Sequence, residues 1–324
     1  MKKIKLIEVK SEIGAGTRGA GMGVDAVRIA ALDFGSSFFI RHPSVEVPNE
    51  NKLLLEPVTN DFAKRIKGVF STSDRLAKQV EACYRTDDMF KTNKDVFPIV
   101  LAGDHTSAIG VASGIKMAFP EKRLGIIWID AHADIHSPYT TPSGNMHGMP
   151  IAAIVGEDNK EYQINKPDVE TVEYWEKIKN LGGICPKIHY EDIVFVSVRD
   201  FERQEEYLLK KHNVKNISVT EIRNRGVERE AALILSALDQ CDLIYISFDV
   251  DSMDPEISRG TGTPVPDGLT EKEAGNLIYY LLRSKKVCCL EVVEINPTLD
   301  KENLMAENAF EILLKATNQL INDF

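Results

Sequence analysis

Leu124-Gly-Ile-Ile-Trp-Ile129, followed at once by Asp130-Ala-His-Ala-Asp134, is the stretch of this chain that decides how it folds. Its first six residues are apolar throughout and are bounded by polar sequence, which predicts a buried strand. If extended geometry continues past the strand, the side chains of Asp130, His132 and Asp134 point to one side, about 7 Å apart. Carboxylates and an imidazole that converge in this way repel one another unless a cation joins them.

Two further apolar runs end in residues of the same kind. Leu243–Phe248 leads into Asp249-Val-Asp251, whose two acids also share a side, and Phe97–Leu101 leads into Ala102-Gly-Asp-His105. Because open α/β sheets bind ligands outside the carboxyl ends of their strands, we expect these three ends to be neighbours. The alternative, a set of loops whose acids are solvated or cap the next helix, does not predict this coincidence.

The types of donor narrow the choice of ion. Two imidazoles and four carboxylates, without a thiolate, suit manganese or a similar divalent ion better than a structural tetrahedral zinc. Six ligands exceed the need of one catalytic ion, whereas two ions about 3.5–4 Å apart, bridged by carboxylates and a water, fit the number. The candidate ligands are His105, Asp130, His132, Asp134, Asp249 and Asp251.

Along the whole chain, strand patterns alternate with helical patterns, which is typical of a mostly parallel sheet covered on both faces. The predicted strands are 3–9, 97–102, 124–130, 192–198, 243–249 and 287–294. The predicted helices are 106–118, 227–239, a C-terminal segment around 310–321, and an amphipathic segment at 170–181 that packs on its own subunit or contributes to a subunit contact. Segment 14–21 is predicted to be a loop beside the site, and 42–52 a surface loop.

Composition excludes several classes of protein. The chain has 324 residues, 43% of them hydrophobic and 27% charged, the balance of a soluble globular protein with one substantial core. A net charge of −10 without a basic block argues against nucleic-acid binding, and no apolar stretch is long enough to predict a membrane span. Five cysteines without a disulfide-like spacing and an N-terminus unlike a signal peptide predict a cytoplasmic location.

The three metal-binding motifs resemble those of the ureohydrolases, the family of arginases, agmatinases and formiminoglutamases. Their order and separations are similar, and the resemblance runs from about Ile4 to the C-terminus. It implies a three-layer α/β/α sandwich with a mostly parallel central sheet. It also implies one domain over 1–324 with an insertion around 157–191, and a trimer or hexamer.

The same resemblance implies a hydrolase that uses two manganese ions. One ion is expected on His105, Asp130, Asp134 and Asp249. The other is expected on Asp130, His132, Asp249 and Asp251, so that Asp130 and Asp249 bridge the two.

The segment Thr141–Pro150 is similar to the arginase version, which combines Ser-Gly-Asn with His-Gly. By this resemblance Ser143 and Asn145 bind the α-carboxylate of L-arginine, and His147 shuttles protons between the site and solvent. Taken alone, Ser-Gly-Asn is ordinary turn chemistry and His147 an ordinary loop histidine.

Two acids complete the implied mechanism, in which L-arginine is hydrolysed to L-ornithine and urea. Glu294, which follows the apolar pair Val292-Val293, is expected to hold the substrate guanidinium through two parallel hydrogen bonds. Asp134 is expected to pass a proton to the departing amine.

Some positions depart from the arginase pattern. His136 replaces an asparagine that helps to bind the α-carboxylate, or lies inert on the rim. Glu202 replaces an aspartate near the α-amino group, while Glu205 matches the pattern and Ala102 replaces a glycine. The departures leave agmatine, a guanidino acid or formiminoglutamate open as substrates. A non-catalytic metal-binding scaffold is the alternative from another class.

Overall fold

The computed structural model describes residues 2–85 and 95–322, and these residues form eight strands and 11 α-helices. The strands are β1 (Lys3–Val9), β2 (Ser44–Glu46), β3 (Val96–Ala102), β4 (Leu124–Ile129), β5 (Ile193–Val196), β6 (Lys215–Ile217), β7 (Leu243–Asp249) and β8 (Val287–Val293). The helices are α1 (Gly23–Asp33), α2 (Phe38–Arg41), α3 (Ile66–Tyr84), α4 (Ser107–Ala118), α5 (Pro150–Val155), α6 (Val169–Lys179), α7 (Arg203–Lys211), α8 (Val219–Arg225), α9 (Val227–Ala237), α10 (Glu271–Leu281) and α11 (Leu304–Asn322).

All eight strands pair in parallel in one sheet, in the order β2-β1-β3-β8-β7-β4-β5-β6. The four central strands are β3, β8, β7 and β4, and their carboxyl ends therefore lie side by side at one edge of the sheet. The motifs that follow β3 and β7 lie on either side of β8, and the motif that follows β4 lies next to that of β7, so the expectation that they are neighbours is confirmed.

Alternate residues of the central strands enter two separate apolar layers. Ile126 and Trp128 pack with side chains of α3, α4, α5 and α6, whereas Ile127 and Ile129 pack with side chains of α1, α8, α9, α10 and α11. Because β4 is buried on both faces, its sequence is a continuous apolar run rather than an alternating one. The predicted three-layer α/β/α sandwich with a parallel sheet is confirmed.

The predicted strands lie within two residues of the observed ones, but the edges of the sheet were missed. The prediction of a surface loop at 42–52 is wrong in part, because β2 pairs there with β1. A three-residue edge strand with an exposed Val45 has no apolar pattern to reveal it. The short strand β6, at the other edge, had no strong signal either.

Helix α3 was also absent from the sequence-based prediction, although its signal is present. Ile66, Val69, Leu76 and Val80 recur at helical spacing and are all buried against the sheet and α4. Helix α3 packs on one face of the sheet, and it begins directly after the loop that ends at Arg65.

The amphipathic segment 170–181 forms α6, and the helix packs on its own chain. Trp175 and Ile178 are fully buried in the same apolar layer as α3 and α5. The indole Nε1 of Trp175 donates to Asp158 Oδ1 at 2.9 Å, and this hydrogen bond joins α6 to the loop that follows α5. The assignment of 157–191 as an insertion within a single domain stays a prediction.

Two expectations from composition concern covalent and membrane chemistry. All five cysteines are free, as their spacing predicted. Among the described residues, no helix combines the length and apolarity that crossing a bilayer requires.

Helices α3 and α4 approach so closely that a glycine is required between them. A Cβ atom on Gly114 would lie 2.4 Å from the carbonyl oxygen of Ala77, which is backbone and cannot move aside. We expect Gly114→Ala to destabilise the protein by about 1–3 kcal/mol through overpacking, although alanine is the better helix former. Thermal unfolding checks this, with Gly275→Ala in α10 as the control, where only the side chains of Ile312 and Lys315 come near. Equal melting temperatures for the two variants would contradict the prediction.

Candidate metal centre

The residues predicted as metal ligands meet at the carboxyl ends of β3, β4 and β7. Nδ1 of His105 lies 3.1 Å from Asp130 Oδ2, 3.1 Å from Asp134 Oδ2 and 3.2 Å from Asp249 Oδ2. All four side chains are almost completely buried. The imidazole is held flat against the indole of Trp128, with ring centroids 3.9 Å apart and planes inclined by 5°.

A second group of donors adjoins the first and shares Asp130 with it. Nδ1 of His132 lies 3.0 Å from Asp251 Oδ2 and 3.5 Å from Asp130 Oδ1. Asp130 thus turns one carboxylate oxygen towards each group, as a bridging ligand would. Two sets of potential ligands, each compact enough to hold an ion, follow from this arrangement.

Strand geometry accounts for this arrangement only in part, and turns of the backbone supply the rest. Strand β4 ends at Ile129, and Asp134 adopts the left-handed conformation with φ 49°. On the β7 side, Asp251 lies in a 3₁₀ turn after the strand, with its N–H donating to Asp249 Oδ1 at 2.8 Å. Asp130, His132 and Asp134 face one site, as the alternation predicts, and strand pairing resumes at His132 in a parallel bridge with Asp200; the turns at Asp134 and after Asp249 complete the convergence.

The hydrogen bonds around His105 determine which ring nitrogen carries the proton. The hydroxyls of Tyr245 and Ser247 both donate to Glu291 Oε2, the second at 3.0 Å. Since the proton of Ser247 is used in this way, its oxygen accepts a hydrogen bond from His105 Nε2 at 2.8 Å. In the neutral imidazole the Nδ1 lone pair of His105 then faces the three carboxylates. This orientation suits a metal ligand.

The electrostatics of the cluster also favour cations. Burial and the neighbouring carboxylates of Asp251 and Asp134 raise the pKa of Asp130. Burial and the carboxylates of Asp251 and Asp130 raise the pKa of Asp249 well above its usual range. His105 Nδ1 and Asp130 Oδ2 are buried without a hydrogen bond, although they are 3.1 Å apart. Even two imidazolium ions would leave four carboxylates incompletely neutralised, whereas two divalent cations would balance them.

Glu294 and His147 form a pair beside the cluster. Glu294 Oε1 accepts from the backbone N–H of His105 at 3.0 Å and lies 3.0 Å from His147 Nδ1. Burial lowers the pKa of His147, but the carboxylate of Glu294 outweighs this and raises it to about 9. Glu294 follows β8 with φ 66°, a conformation that non-glycine residues rarely adopt and that is common at functional sites.

His136 is fully engaged with other protein groups. Its Nε2 lies 2.9 Å from Glu202 Oε2 and 3.5 Å from Glu205 Oε2, and its Nδ1 lies 3.1 Å from Thr140 Oγ1. The hydrogen bond from His136 lowers the pKa of Glu202, whereas burial raises the pKa of Glu205. The two acids and the imidazole form a third group of side chains close enough together to hold a cation.

A cavity of about 120 Å³ joins these groups to the Ser143–Asn145 turn. Its lining comprises His132, Asp134, His136, Thr141, Pro142, Ser143, Asn145, His147, Gly148, Glu202, Glu205, Asp249, Asp251 and Thr263. The segment 14–21 forms a loop beside it, as predicted, and the carbonyl of Gly14 accepts from the N–H of His147 at 3.2 Å.

One lining residue, Thr263, was not predicted. Its Oγ1 donates to Asp251 Oδ2 at 3.0 Å and so orients a predicted ligand. Thr263 lies in an irregular loop 12 residues after Asp251, where no periodicity marks it.

Comparison with known proteins finds similar sequences and similar structures over almost the whole chain. The model of the Arginase family matches residues 2–318. The chain is 31% identical over 318 residues to the arginase of Bacillus subtilis strain 168, covering 96% of each chain. It superposes on the native arginase of Bacillus caldovelox with a TM-score of 0.81 at 29% identity, covering 98% of each chain. The formimidoylglutamase of Bacillus subtilis shares the fold, with a TM-score of 0.73 at 20% identity over 99% of this chain and 87% of that one.

We expect divalent cations to stabilise this protein through the donor cluster. Adding Mn²⁺ after chelator treatment should raise the melting temperature, by the equivalent of about 3 kcal/mol at 100 times the dissociation constant. In Asp249→Asn most of this rise should be lost. The metal-free variant should be at least as stable as the metal-free wild type, because one of the crowded carboxylates is neutralised.

Differential scanning calorimetry with and without Mn²⁺ measures both effects. Asp239→Asn is the matched control, since this exposed carboxylate lies 2.9 Å from Lys286 Nζ and precedes β7, away from the carboxyl end that carries Asp249. A rise in Asp249→Asn as large as in the wild type would refute a role of the cluster in metal binding.

Proposed function

Because the chain belongs to the arginase family, we propose that it hydrolyses L-arginine to L-ornithine and urea, with two Mn²⁺ ions as cofactor. The family consists of metal-dependent hydrolases, so the reaction class follows from membership. The observation that carries the proposal is the pair of donor groups sharing Asp130, which opens into a cavity with Ser143 and Asn145 at its far side.

The ligands we assign are those of the two donor groups. One ion would be held by His105, Asp130, Asp134 and Asp249. The other would be held by Asp130, His132, Asp249 and Asp251, so that Asp130 and Asp249 would serve both. When bound, the cations would supply Lewis acidity and lower the pKa of water at the site. The orientation of His105 by Ser247 and the buried carboxylates support this assignment.

Glu294 would bind the guanidinium of the substrate. Its Oε1 accepts from the N–H of His105 and lies beside His147, which leaves Oε2 for a new donor; Glu294 itself is 2% exposed and lies behind the residues that line the cavity. A buried carboxylate attracts a guanidinium strongly, because the charged hydrogen bond forms away from solvent. The expected pair of parallel hydrogen bonds requires His147 to release Oε1 and stays a prediction.

His147 and Asp134 would move the protons of the reaction. Cations at the donor cluster would repel the imidazolium of His147 and lower its pKa from about 9. A histidine near neutral pKa can take up a proton and return it, as a shuttle must. Asp134 lines the cavity and would pass a proton to the departing amine.

The polar groups at the far side of the cavity favour an amino acid substrate. Glu202 and Glu205 suit an ammonium group, and they disfavour formiminoglutamate, which carries two carboxylates. Ser143 and Asn145 suit a carboxylate, which agmatine lacks. L-Arginine has both groups, and agmatine is the second candidate because it keeps a terminal ammonium.

Three further expectations stay predictions: the trimer or hexamer, the cytoplasmic location, and the identity of the metal as manganese. The roles proposed for the residues of the cavity do not depend on these three expectations. The alternative of a non-catalytic scaffold is disfavoured because all six predicted ligands converge.

The purified, Mn²⁺-loaded protein should release urea from L-arginine and at most one hundredth as much from agmatine. Urea release from L-arginine, agmatine and 4-guanidinobutyrate, together with formamide release from formiminoglutamate, measures this directly. Urea from agmatine at a comparable rate would contradict the proposed substrate. The absence of turnover on the whole panel would favour the scaffold.

His147→Asn should lower kcat by about 10–100-fold, because a general acid–base group contributes on this order. The stabilisation by Mn²⁺ should stay as in the wild type, since His147 Nδ1 is directed at Glu294 rather than at the donor cluster. Steady-state kinetics and the melting shift are measured on the same preparation. An unchanged kcat would remove the shuttle role.

A further inference from the structure

Lys64, outside every motif of the chain, contacts the Ser143–Asn145 turn twice. Its ammonium donates to Asn145 Oδ1 at 3.0 Å, and its backbone N–H donates to the carbonyl of Gly144 at 2.8 Å. Lys64 precedes α3 and is 81 positions before Asn145 in the sequence. A distant segment of the chain is therefore built onto the turn that we assign to the substrate's carboxylate.

The contact fixes the orientation of the Asn145 amide. A lysine ammonium can only donate, so only the Oδ1 atom of the carboxamide can face it. Nδ2 must then point the other way, and it lies on the side of Gly16, where an added Cβ would come within 2.6 Å of it. Asn145 lines the cavity, and the contact with Lys64 leaves Nδ2 as the donor atom of its amide.

The turn and the segment of Lys64 have little freedom to separate. Gly144 has φ +74°, and a Cβ on it would lie 1.8 Å from the carbonyl oxygen of Asp61. The close approach is possible only because residue 144 has no side chain. Since backbone contacts hold both segments, the ammonium of Lys64 is kept beside the turn.

The lining of the cavity, among the described residues, offers a substrate carboxylate no lysine or arginine side chain. Its titratable groups are carboxylates and imidazoles. His136, which replaces the asparagine of the arginase pattern, has Nδ1 engaged by Thr140 and Nε2 by Glu202. Neither nitrogen is free to donate to a carboxylate.

We propose that Lys64 is the positioning residue for recognition of the α-carboxylate: it holds the amide of Asn145 so that Nδ2 is presented to that group. The inference rests on the proposed function, because it concerns a substrate that has an α-carboxylate. It makes Lys64 the residue through which this chain distinguishes L-arginine from its decarboxylated analogue.

The test compares two ligands that differ only in the carboxylate. In Lys64→Met the KM for L-arginine should rise about tenfold, as expected for losing a charge-assisted contact at a partly exposed site. The inhibition constant of agmatine, measured against L-arginine, should change less than twofold, and so should kcat. Lys64→Arg, which can also donate to Asn145 Oδ1, should restore most of the affinity.

Two further variants separate positioning from a general effect on structure. Lys67→Met removes a nearby lysine whose partner is Glu170, at 2.6 Å on the surface, and should leave both constants unchanged. In an Asn145→Ala background, Lys64→Met should raise the KM less than twofold, because the group it positions is gone. Melting temperatures of all variants verify that they are folded.

The outcomes are distinguishable. If the wild type does not release urea from L-arginine, the proposed function fails, and this inference with it. If the wild type is active and Lys64→Met leaves the KM unchanged, or weakens L-arginine and agmatine equally, the inference alone is overturned. Additive effects of Lys64→Met and Asn145→Ala would likewise overturn it.

Discussion

The mutual repulsion of four buried carboxylates is the constraint on which the rest of this structure depends. They lie around His105 and His132 at the ends of three parallel strands, with oxygen-to-nitrogen distances of 3.0–3.5 Å. Such a cluster is costly without counter-ions, and a small or loosely packed protein could not hold it together. The eight-stranded sheet, with an apolar layer on each face, provides the stability that keeps these groups in place.

Groups behind the cluster determine its chemistry as much as the ligands do. Glu291 accepts hydrogen bonds from the hydroxyls of Tyr245 and Ser247. Ser247 then accepts from His105 Nε2, which directs Nδ1 of His105 at the carboxylates. On the other side, Glu294 joins His105 to the proposed proton shuttle, His147. Hydrogen bonds thus join His105 to the acid proposed to bind the guanidinium and to the proposed shuttle.

The centre of the fold was predictable, whereas its edges were not. Strands β3, β4, β7 and β8 are continuous apolar runs because they are buried on both faces, so composition alone marks them. The edge strand β2 has three residues and an exposed Val45, so it leaves no comparable pattern. The order of the strands does not follow from the sequence either, because it depends on long-range pairing that no local period encodes.

The sequence by itself determined which donors are present, that they follow buried strands, and which family they resemble. Only the tertiary structure decided that Asp130 faces both donor groups, that both nitrogens of His136 are occupied, and that Lys64 and Thr263 adjoin the site. The physical reason is that residue types and periodicity are local properties. Left-handed turns such as that at Asp134 and contacts across 81 residues arise only when distant segments pack together.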